Sequence, residues 1–172
     1  MESFVMNMTL PDTCPNPSAS ATLPYDCAFY TDCLEATYNC GPSGFPLGPG
    51  LKYCERFLEN EDRFSELAQE WVRDTRVCLK EAMVPSVTDP EGKTCEDVEE
   101  TFWDDALVKC YVDNGFCDLA FGFREHPKET IKFLATFFAM FDAEDLKSLT
   151  AVKQVARVIA ECSTMGISVE TE

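Results

Sequence analysis

The chain has 172 residues, 45% of them hydrophobic, and its 31 acidic against 14 basic residues give a net charge of −17. This length and hydrophobic content suit a single domain that buries one core of its own. The negative charge would repel nucleic-acid phosphates and anionic lipid surfaces, and no apolar run is long enough to cross a bilayer. We therefore expect neither a nucleic-acid-binding protein nor a membrane span.

Ten cysteines in so short a chain, and in even number, are typical of a disulfide framework in an oxidising compartment. The alternative for clustered cysteines is a zinc site, which needs close pairs such as C-x-x-C. No such pair occurs, and His126 is the only histidine. We predict disulfides, no metal and no cofactor, in a secreted protein. Met1 to Leu10 is too short for a signal peptide and lacks its basic start, so we expect a truncated start.

Residues 1–24 are rich in Pro, Ser, Thr and Asn, which predicts an extended N-terminal arm that Cys14 would tie to the body. Asn7-Met8-Thr9 is a glycosylation sequon on this arm, so Asn7 is the glycosylation candidate. Residues 25–165 are the predicted disulfide-rich helical domain, and residues 166–172 form a C-terminal tail.

Glycines and prolines at 41–50 predict an irregular loop packed by Phe45 and Leu47. A short helix from Lys52 to Leu58 should follow, and then a long amphipathic one. The apolar face of the long helix has residues three and four apart: Phe64, Leu67, Ala68, Trp71, Val72, Thr75, Cys78, Leu79 and Ala82. Its opposite face carries charges: Glu66, Glu70, Arg73, Asp74 and Lys80. The segment from Pro85 to Lys93 should break the chain again.

Thr94 and Asp97 resemble a capping arrangement, which predicts a helix from Cys95 to about Val112. Its apolar face comprises Cys95, Val98, Phe102, Leu107 and Cys110. The turn at residues 113–115 should end this helix, and a phenylalanine-rich helix should begin at Pro127. No segment has the pattern of an extended sheet. We therefore predict a single all-α domain, a disulfide-stapled helical bundle.

A last helix from about Ala143 to Cys162 has one predicted apolar side: Leu146, Leu149, Val152, Val155, Ala156, Ile159 and Cys162. In the phenylalanine-rich helix before it, Phe133 and Phe137 can hardly share one buried face with Phe138 and Met140. Some apolar surface should therefore need a second subunit or a neighbouring helix. This suggests two hypotheses, a non-covalent homodimer through this region and a lipid cavity lined by phenylalanines.

His126 is the only imidazole and precedes a proline at a predicted helix start, where it should cap or line the turn rather than catalyse. The His-Asp pair and glycine-rich calcium loop of secreted phospholipases are both missing. An acidic patch should be a solvated helix face, since no calcium-loop motif is present: Glu96, Asp97, Glu99, Glu100, Asp104 and Asp105. We therefore expect a binding protein that is not an enzyme.

Three cysteine-containing segments carry a family resemblance. The first is Cys27-Ala28-Phe29-Tyr30-Thr31-Asp32-Cys33, followed by Leu34-Glu35. The second is Tyr53-Cys54-Glu55-Arg56-Phe57-Leu58, and the third is Lys109-Cys110-Tyr111 with Cys117 after a short turn. These segments, and the order of all ten cysteines from Cys14 to Cys162, resemble the stanniocalcins, secreted helical glycoprotein hormones of animals.

The resemblance implies five bridges: Cys14 with Cys33, Cys27 with Cys54, Cys40 with Cys95, Cys78 with Cys110, and Cys117 with Cys162. It also implies a regulator that binds a receptor or a secreted protease, with calcium and phosphate homeostasis as the family theme. The alternatives are an extracellular protease-inhibitory or lipid-binding helical domain.

Two features of the family are missing from this chain. No cysteine follows Cys162 to link two chains, so a covalent dimer is not expected. Leu34-Glu35 runs into Ala36-Thr37-Tyr38, where the family has a glycosylated Asn-Ser-Thr.

Overall fold

The computed structural model describes Cys14 and residues 27–165. These residues form helices joined by short turns, with no β-strand among them, which confirms the predicted all-α class. The predicted arm apart from Cys14, the glycosylation candidate Asn7 and the tail at 166–172 lie outside the described residues.

The helices up to the first long one are π1 (Phe29–Glu35), α1 (Ala36–Tyr38), π2 (Pro46–Gly50), α2 (Leu51–Glu59), a 3-10 turn (Glu61–Arg63) and α3 (Glu66–Thr88). The remaining helices are α4 (Cys95–Glu100), π3 (Thr101–Ala106), α5 (Leu107–Asp113), α6 (Phe116–Phe121), α7 (Pro127–Phe138), α8 (Ala143–Leu146) and α9 (Leu149–Thr164). Three of these segments are π-helical, a widened geometry that the sequence pattern did not predict.

The loop predicted at 41–50 contains the helical turn π2, which leads directly into α2. Phe45 is buried as predicted, whereas Leu47 is only partly covered. At the end of the turn, a Cβ on Gly50 would lie 2.6 Å from Cδ1 of Tyr30. A larger residue at this position would therefore displace the buried tyrosine, which explains why a glycine ends π2.

The long helix α3 does not stop before Pro85, where a break was predicted, but continues to Thr88. Proline removes a backbone donor and usually ends or kinks a helix. Here Met83 and Val87 on either side of it are buried at 0% and 4% exposure, whereas the Pro85 ring faces solvent. Burial of these neighbours holds the last turns in helical form, and the break lies at residues 89–94.

Replacing Pro85 by alanine is expected to raise the free energy of unfolding by about 1 to 2 kcal/mol. A proline inside a helix destabilises the folded chain by about 3 kcal/mol relative to alanine. Alanine also gives the unfolded chain more conformational entropy, which offsets up to about 1 kcal/mol of this gain in stability. Denaturant unfolding followed by far-UV circular dichroism measures the change. A loss of stability in the variant would contradict the helical path through this residue.

Two residues of α3 lie on the side opposite to the one predicted. Leu67, assigned to the apolar face, is 65% exposed, and Lys80, assigned to the charged face, is 1% exposed. The helix α3 contacts π1, π3 and α5, so it is covered on more sides than one amphipathic face allows. The long aliphatic part of a lysine side chain can pack against apolar neighbours. Burial lowers the pKa of the Lys80 ammonium group to about 8.

The helix predicted from Cys95 to Val112 is present, but π3 interrupts it between α4 and α5. Its start is the predicted capping box: Asp97 N donates to Thr94 Oγ1 over 3.3 Å, and Thr94 N donates to Asp97 Oδ2 over 2.6 Å. The predicted inner face is correct, since Val98, Phe102, Leu107 and Cys110 are buried, while Cys95 is partly covered.

All ten cysteines are paired, with none free. The bridges are Cys14–Cys33, Cys27–Cys54, Cys40–Cys95, Cys78–Cys110 and Cys117–Cys162. This is the set that the family resemblance implies. Two bridges join helix to helix, α3 to α5 and α6 to α9.

The core has two hydrophobic clusters that meet along α3. The first packs π1, α4 and π3 around Phe29, Leu34 and Met83. The second packs α6 and α7 around Trp71, with ring centroids 5.5 Å from Phe116 and 5.4 Å from Phe133. Trp71 therefore connects the long helix to the C-terminal helices.

Candidate interaction surface on the C-terminal helix

The helix predicted from Ala143 to Cys162 is divided into α8 and α9. Ser148 lies between them, in extended conformation, and its Oγ accepts a hydrogen bond from Ala151 N over 3.1 Å. This is an ordinary N-cap, and serine is among the residues that favour the position. A capping serine just before Leu149 is the sequence signal that could have predicted the division.

The apolar side predicted for α9 faces outward. Of the α9 residues assigned to it, only Cys162 is buried, whereas Leu149, Val152, Val155 and Ile159 are 85%, 55%, 45% and 48% exposed. The side that faces the core instead carries Gln154, Val158 and Cys162, at 4%, 6% and 2% exposure. The prediction was therefore wrong about which side of α9 is buried.

Covalent and polar anchors fix this orientation of α9. Cys162 is bridged to Cys117 of α6, with the two Cα atoms 5.4 Å apart. Arg157 Nη1 donates to the Trp103 carbonyl oxygen over 3.2 Å, and Nη2 donates to the Asp104 carbonyl oxygen. Lys153 Nζ lies 3.0 Å from Asp104 Oδ1. Because Trp103 and Asp104 belong to π3, the widened helix supplies the carbonyl groups that hold α9 in place.

We call the outward residues Leu149, Val152, Ala156 and Ile159 the α9 stripe. They recur at steps of three, four and three residues along one line of the helix. None is charged, and all are exposed. Val155 lies beside the stripe and Met165, just after the helix, is 63% exposed. Contiguous exposed apolar surface of this kind marks interaction sites in soluble proteins.

The phenylalanine-rich helix α7 divides its rings only partly as predicted. Phe133 and Phe137 are buried and Phe138 is 44% exposed, but Met140, which was expected on the side of Phe138, is buried at 1% exposure. The buried rings pack directly on other aromatic side chains, with the Phe137 centroid 5.3 Å from that of Phe116. Two surface depressions on the described residues are lined mainly by charged and polar side chains of α2 and the turn after it, and no phenylalanine lines them.

The predicted acidic patch lies on the surface of α4 and π3. Glu96, Glu99, Glu100 and Asp105 are exposed, and the other two members have partners: Asp97 in the capping box and Asp104 with Lys153 and Arg157. Within the described part of the chain, no three metal-ligating side chains come together. His126 is the exposed residue before α7, and its side chain makes no capping hydrogen bond.

A polar cluster that the sequence did not predict joins α2 to the start of α8. Lys52 Nζ lies 2.8 Å from Asp145 Oδ2, and Tyr53 donates its hydroxyl proton to the same carboxylate. Arg56 Nη1 donates to Asp142 Oδ1 over 2.9 Å and to the Met140 carbonyl oxygen over 2.8 Å. Hydrogen bonds from Lys52 lower the pKa of both Asp142 and Asp145.

Stability is therefore expected to fall when the pH drops below about 4, where these carboxylates take up protons. A carboxyl whose pKa is lower in the folded than in the unfolded chain stabilises the fold while ionised, and this contribution is lost on acidification. Denaturant unfolding at pH 7 and pH 3 should show a smaller difference for Asp142→Asn than for the unmodified chain. An equal difference in both would contradict a role for this cluster.

Known proteins give no guide to what this surface does. Comparison with protein-family models, with curated proteins and with solved structures found no match. The family resemblance rests on the segments quoted above alone. No helix of the described residues is long and apolar enough to cross a membrane.

Proposed function

We propose that this chain is a secreted, stanniocalcin-like regulatory protein that acts by binding another protein. The observation that carries the proposal is the closure of all ten cysteines in the five pairs that the resemblance implies. Disulfides in this number persist in extracellular and other oxidising compartments. Two observations support binding rather than catalysis. The only histidine, His126, is exposed on the surface, and α9 presents an exposed apolar face of the kind that contacts other proteins.

A bridged helical body suits recognition of a large partner. Association costs the ordering of loops and side chains, and a surface that is already rigid loses less entropy on binding. The α9 stripe supplies apolar contact area, and the net charge of −17 would attract a partner with a basic surface to the chain as a whole. The proposed partner is a receptor or a secreted protease, and calcium and phosphate transport is the physiological process to examine first.

The test applies the oxidised, purified protein to epithelial cells and measures calcium and phosphate uptake. In parallel, the same protein is incubated with secreted metalloproteases and cleavage of their substrates is recorded. Reduced and alkylated protein is the control, because it has the same sequence without the bridges. We expect a saturable effect in one assay that the control lacks. No effect at any dose in either assay would overturn the proposal.

Secretion and bridging have a separate test. The chain is expressed with a secretory leader, and its intact mass is measured before and after reduction. We expect a mass increase that corresponds to ten new thiols. Reaction of most thiols in the native, unreduced protein would remove the basis for both the compartment and the resemblance.

A further inference from the structure

The outward side of α7 combines exposed apolar and exposed basic side chains. We call Lys128, Ile131, Lys132, Ala135 and Phe138 the α7 face, and all five are exposed. Ile131, Ala135 and Phe138 recur at steps of four and three residues and form an apolar edge. Lys128 and Lys132, four residues apart, form a basic edge beside it. The buried rings of α7 lie on the opposite side of the helix, so this face points away from the core.

The basic side chains of this region are not paired within the chain. Among residues 27–165, no carboxylate forms an ion pair with Arg124, Lys128 or Lys132. Glu125 and Glu129 directly follow Arg124 and Lys128, but Glu129 is about 100° around the helix from Lys128. In other parts of the described structure, basic side chains contact carboxylates: Lys52, Arg56, Arg73, Lys109, Lys153 and Arg157. A chain of net charge −17 thus leaves three cations available at α7.

We propose that the α7 face binds an acidic amphipathic helix of a partner protein. Carboxylates of that helix pair with Lys128 and Lys132, and its apolar residues pack on Ile131 and Phe138. The inference rests on the proposed function, because it specifies the chemistry of a protein that this regulator binds. It also assigns the contact to a surface separate from the α9 stripe.

A helix is the partner element that matches the spacing of the face. Residues four apart on a helix lie one above the other, about 6 Å apart along its axis. Carboxylates four residues apart on an opposing helix can therefore meet Lys128 and Lys132 together. Apolar residues at steps of four and three on the same helix then lie against the apolar edge. The small Ala135, between Ile131 and Phe138, lets the two helices approach closely.

The combination of charge and apolar area favours a protein over other acidic ligands. A sulfated glycan would pair with the lysines but would leave Ile131 and Phe138 without apolar contact. An anionic bilayer is a wide surface, so it would also meet the carboxylates of a body with a net charge of −17. A single acidic helix is narrow enough to contact the α7 face alone, where its carboxylates are opposite the unpaired lysines.

The size of the face sets the strength of this contact. The 12 residues of α7 span about 18 Å, and a helix is about 10 Å wide. Such a strip covers less than the roughly 800 Å² per partner of a stable complex. Exposed ion pairs add little each. An isolated acidic helix should therefore bind weakly, with a Kd in the micromolar to millimolar range.

Nuclear magnetic resonance titration of the oxidised, isotopically labelled full chain with a synthetic acidic helix tests the inference. The peptide has about four helical turns, with leucines on one edge and glutamates four residues apart on the next. We expect saturable changes of backbone amide chemical shift at residues 123–139, and no comparable changes on the α9 stripe. A peptide with lysines in place of the glutamates should leave the α7 face unchanged.

Charge reversal on the basic edge should weaken peptide binding. Lys128→Glu combined with Lys132→Glu should raise the Kd at least about tenfold, because like charges then oppose each other. The matched control is Lys93→Glu combined with Lys147→Glu, which changes the net charge equally at exposed lysines outside α7. This control should bind the peptide as the unmodified chain does.

Truncation on the apolar edge separates packing from charge. Ile131→Ser should raise the Kd several-fold by removing apolar contact area. Ile159→Ser, the same substitution at an exposed position of the α9 stripe, should leave it unchanged. Circular dichroism and intact mass establish that every variant folds with five bridges.

Three outcomes would overturn the inference. The first is the absence of saturable changes at residues 123–139 with millimolar peptide, and the second is an equal loss of binding in the two pairs of lysine variants. The third is binding to heparin, or to phosphatidylcholine vesicles that contain phosphatidylserine, that the α7 lysine variants lose while the peptide has no effect. None of these readouts involves calcium uptake, phosphate uptake or protease inhibition, so failure here is distinguishable from failure of the proposed regulatory function.

Discussion

Replacing Trp71 by alanine is expected to lower the free energy of unfolding by about 3 to 5 kcal/mol, the largest effect of any single substitution considered. The indole is 3% exposed, and its Nε1 donates to the Tyr111 carbonyl oxygen over 3.2 Å. Its ring centroid lies 5.4 Å from Phe133 and 5.9 Å from Phe137. Alanine would leave a cavity between α3 and α7 and remove the partly buried hydrogen bond to the Tyr111 carbonyl oxygen.

Denaturant unfolding followed by far-UV circular dichroism measures this loss, since tryptophan fluorescence changes with the substitution itself. Trp103→Ala is the matched control, because Trp103 is only partly buried and its Nε1 donates to an exposed Glu99 carboxylate over 3.3 Å. We expect a clearly smaller loss there. Equal losses at the two positions would contradict the central place of Trp71 in the second cluster.

Removing the bridge between Cys40 and Cys95, with alanine at both positions, is expected to lower the free energy of unfolding by about 4 kcal/mol. The two cysteines are 55 residues apart in sequence, the longest loop that a bridge closes in this chain. In the chain-entropy account, a bridge stabilises by restricting the unfolded chain, and a loop of this length corresponds to about 4 kcal/mol. Both side chains are only partly buried, so little cavity cost adds to it.

The measurement is again denaturant unfolding, after intact mass has shown that the other four bridges remain closed. Thr37→Ala is a control for change in the same region without loss of a bridge, since Thr37 only donates to the Cys33 carbonyl oxygen. A loss below about 1 kcal/mol in the double variant would mean that the unfolded chain is held compact by other means.

The all-α class could be predicted because the spacing of apolar residues within each segment indicates a helix, whatever that segment packs against. The disulfide framework could be predicted from the number of cysteines. The side of α9 that is buried could not be predicted in this way. Its apolar stripe gave the stronger periodic signal, but the bridge at Cys162 and the hydrogen bonds of Arg157 decide the orientation. Those partners lie far away in sequence, at Cys117 and Trp103, so no local pattern contains them.

Other differences have similar causes. Pro85 was expected to end a helix, but burial of Met83 and Val87 outweighs the lost backbone donor. Lys80 was expected on a solvated face of α3, but it is buried, because π1, π3 and α5 cover the helix on several sides. Cys40 and Cys95 lie on segments whose contact no periodicity predicts. Their pairing came from the family resemblance, and the structure joins the same two residues.

The order of the bridges along the chain has a consequence for proteolysis. From Cys14 to Cys110 the four bridges overlap in sequence, so any single cut there leaves the two fragments covalently joined. Residues 111–116, around the turn at Gly115, are the only stretch between Cys14 and Cys162 that no bridge spans. After a cut there, only non-covalent contacts would hold the C-terminal helices to the rest of the chain, so a denaturant would separate the two fragments without any reductant.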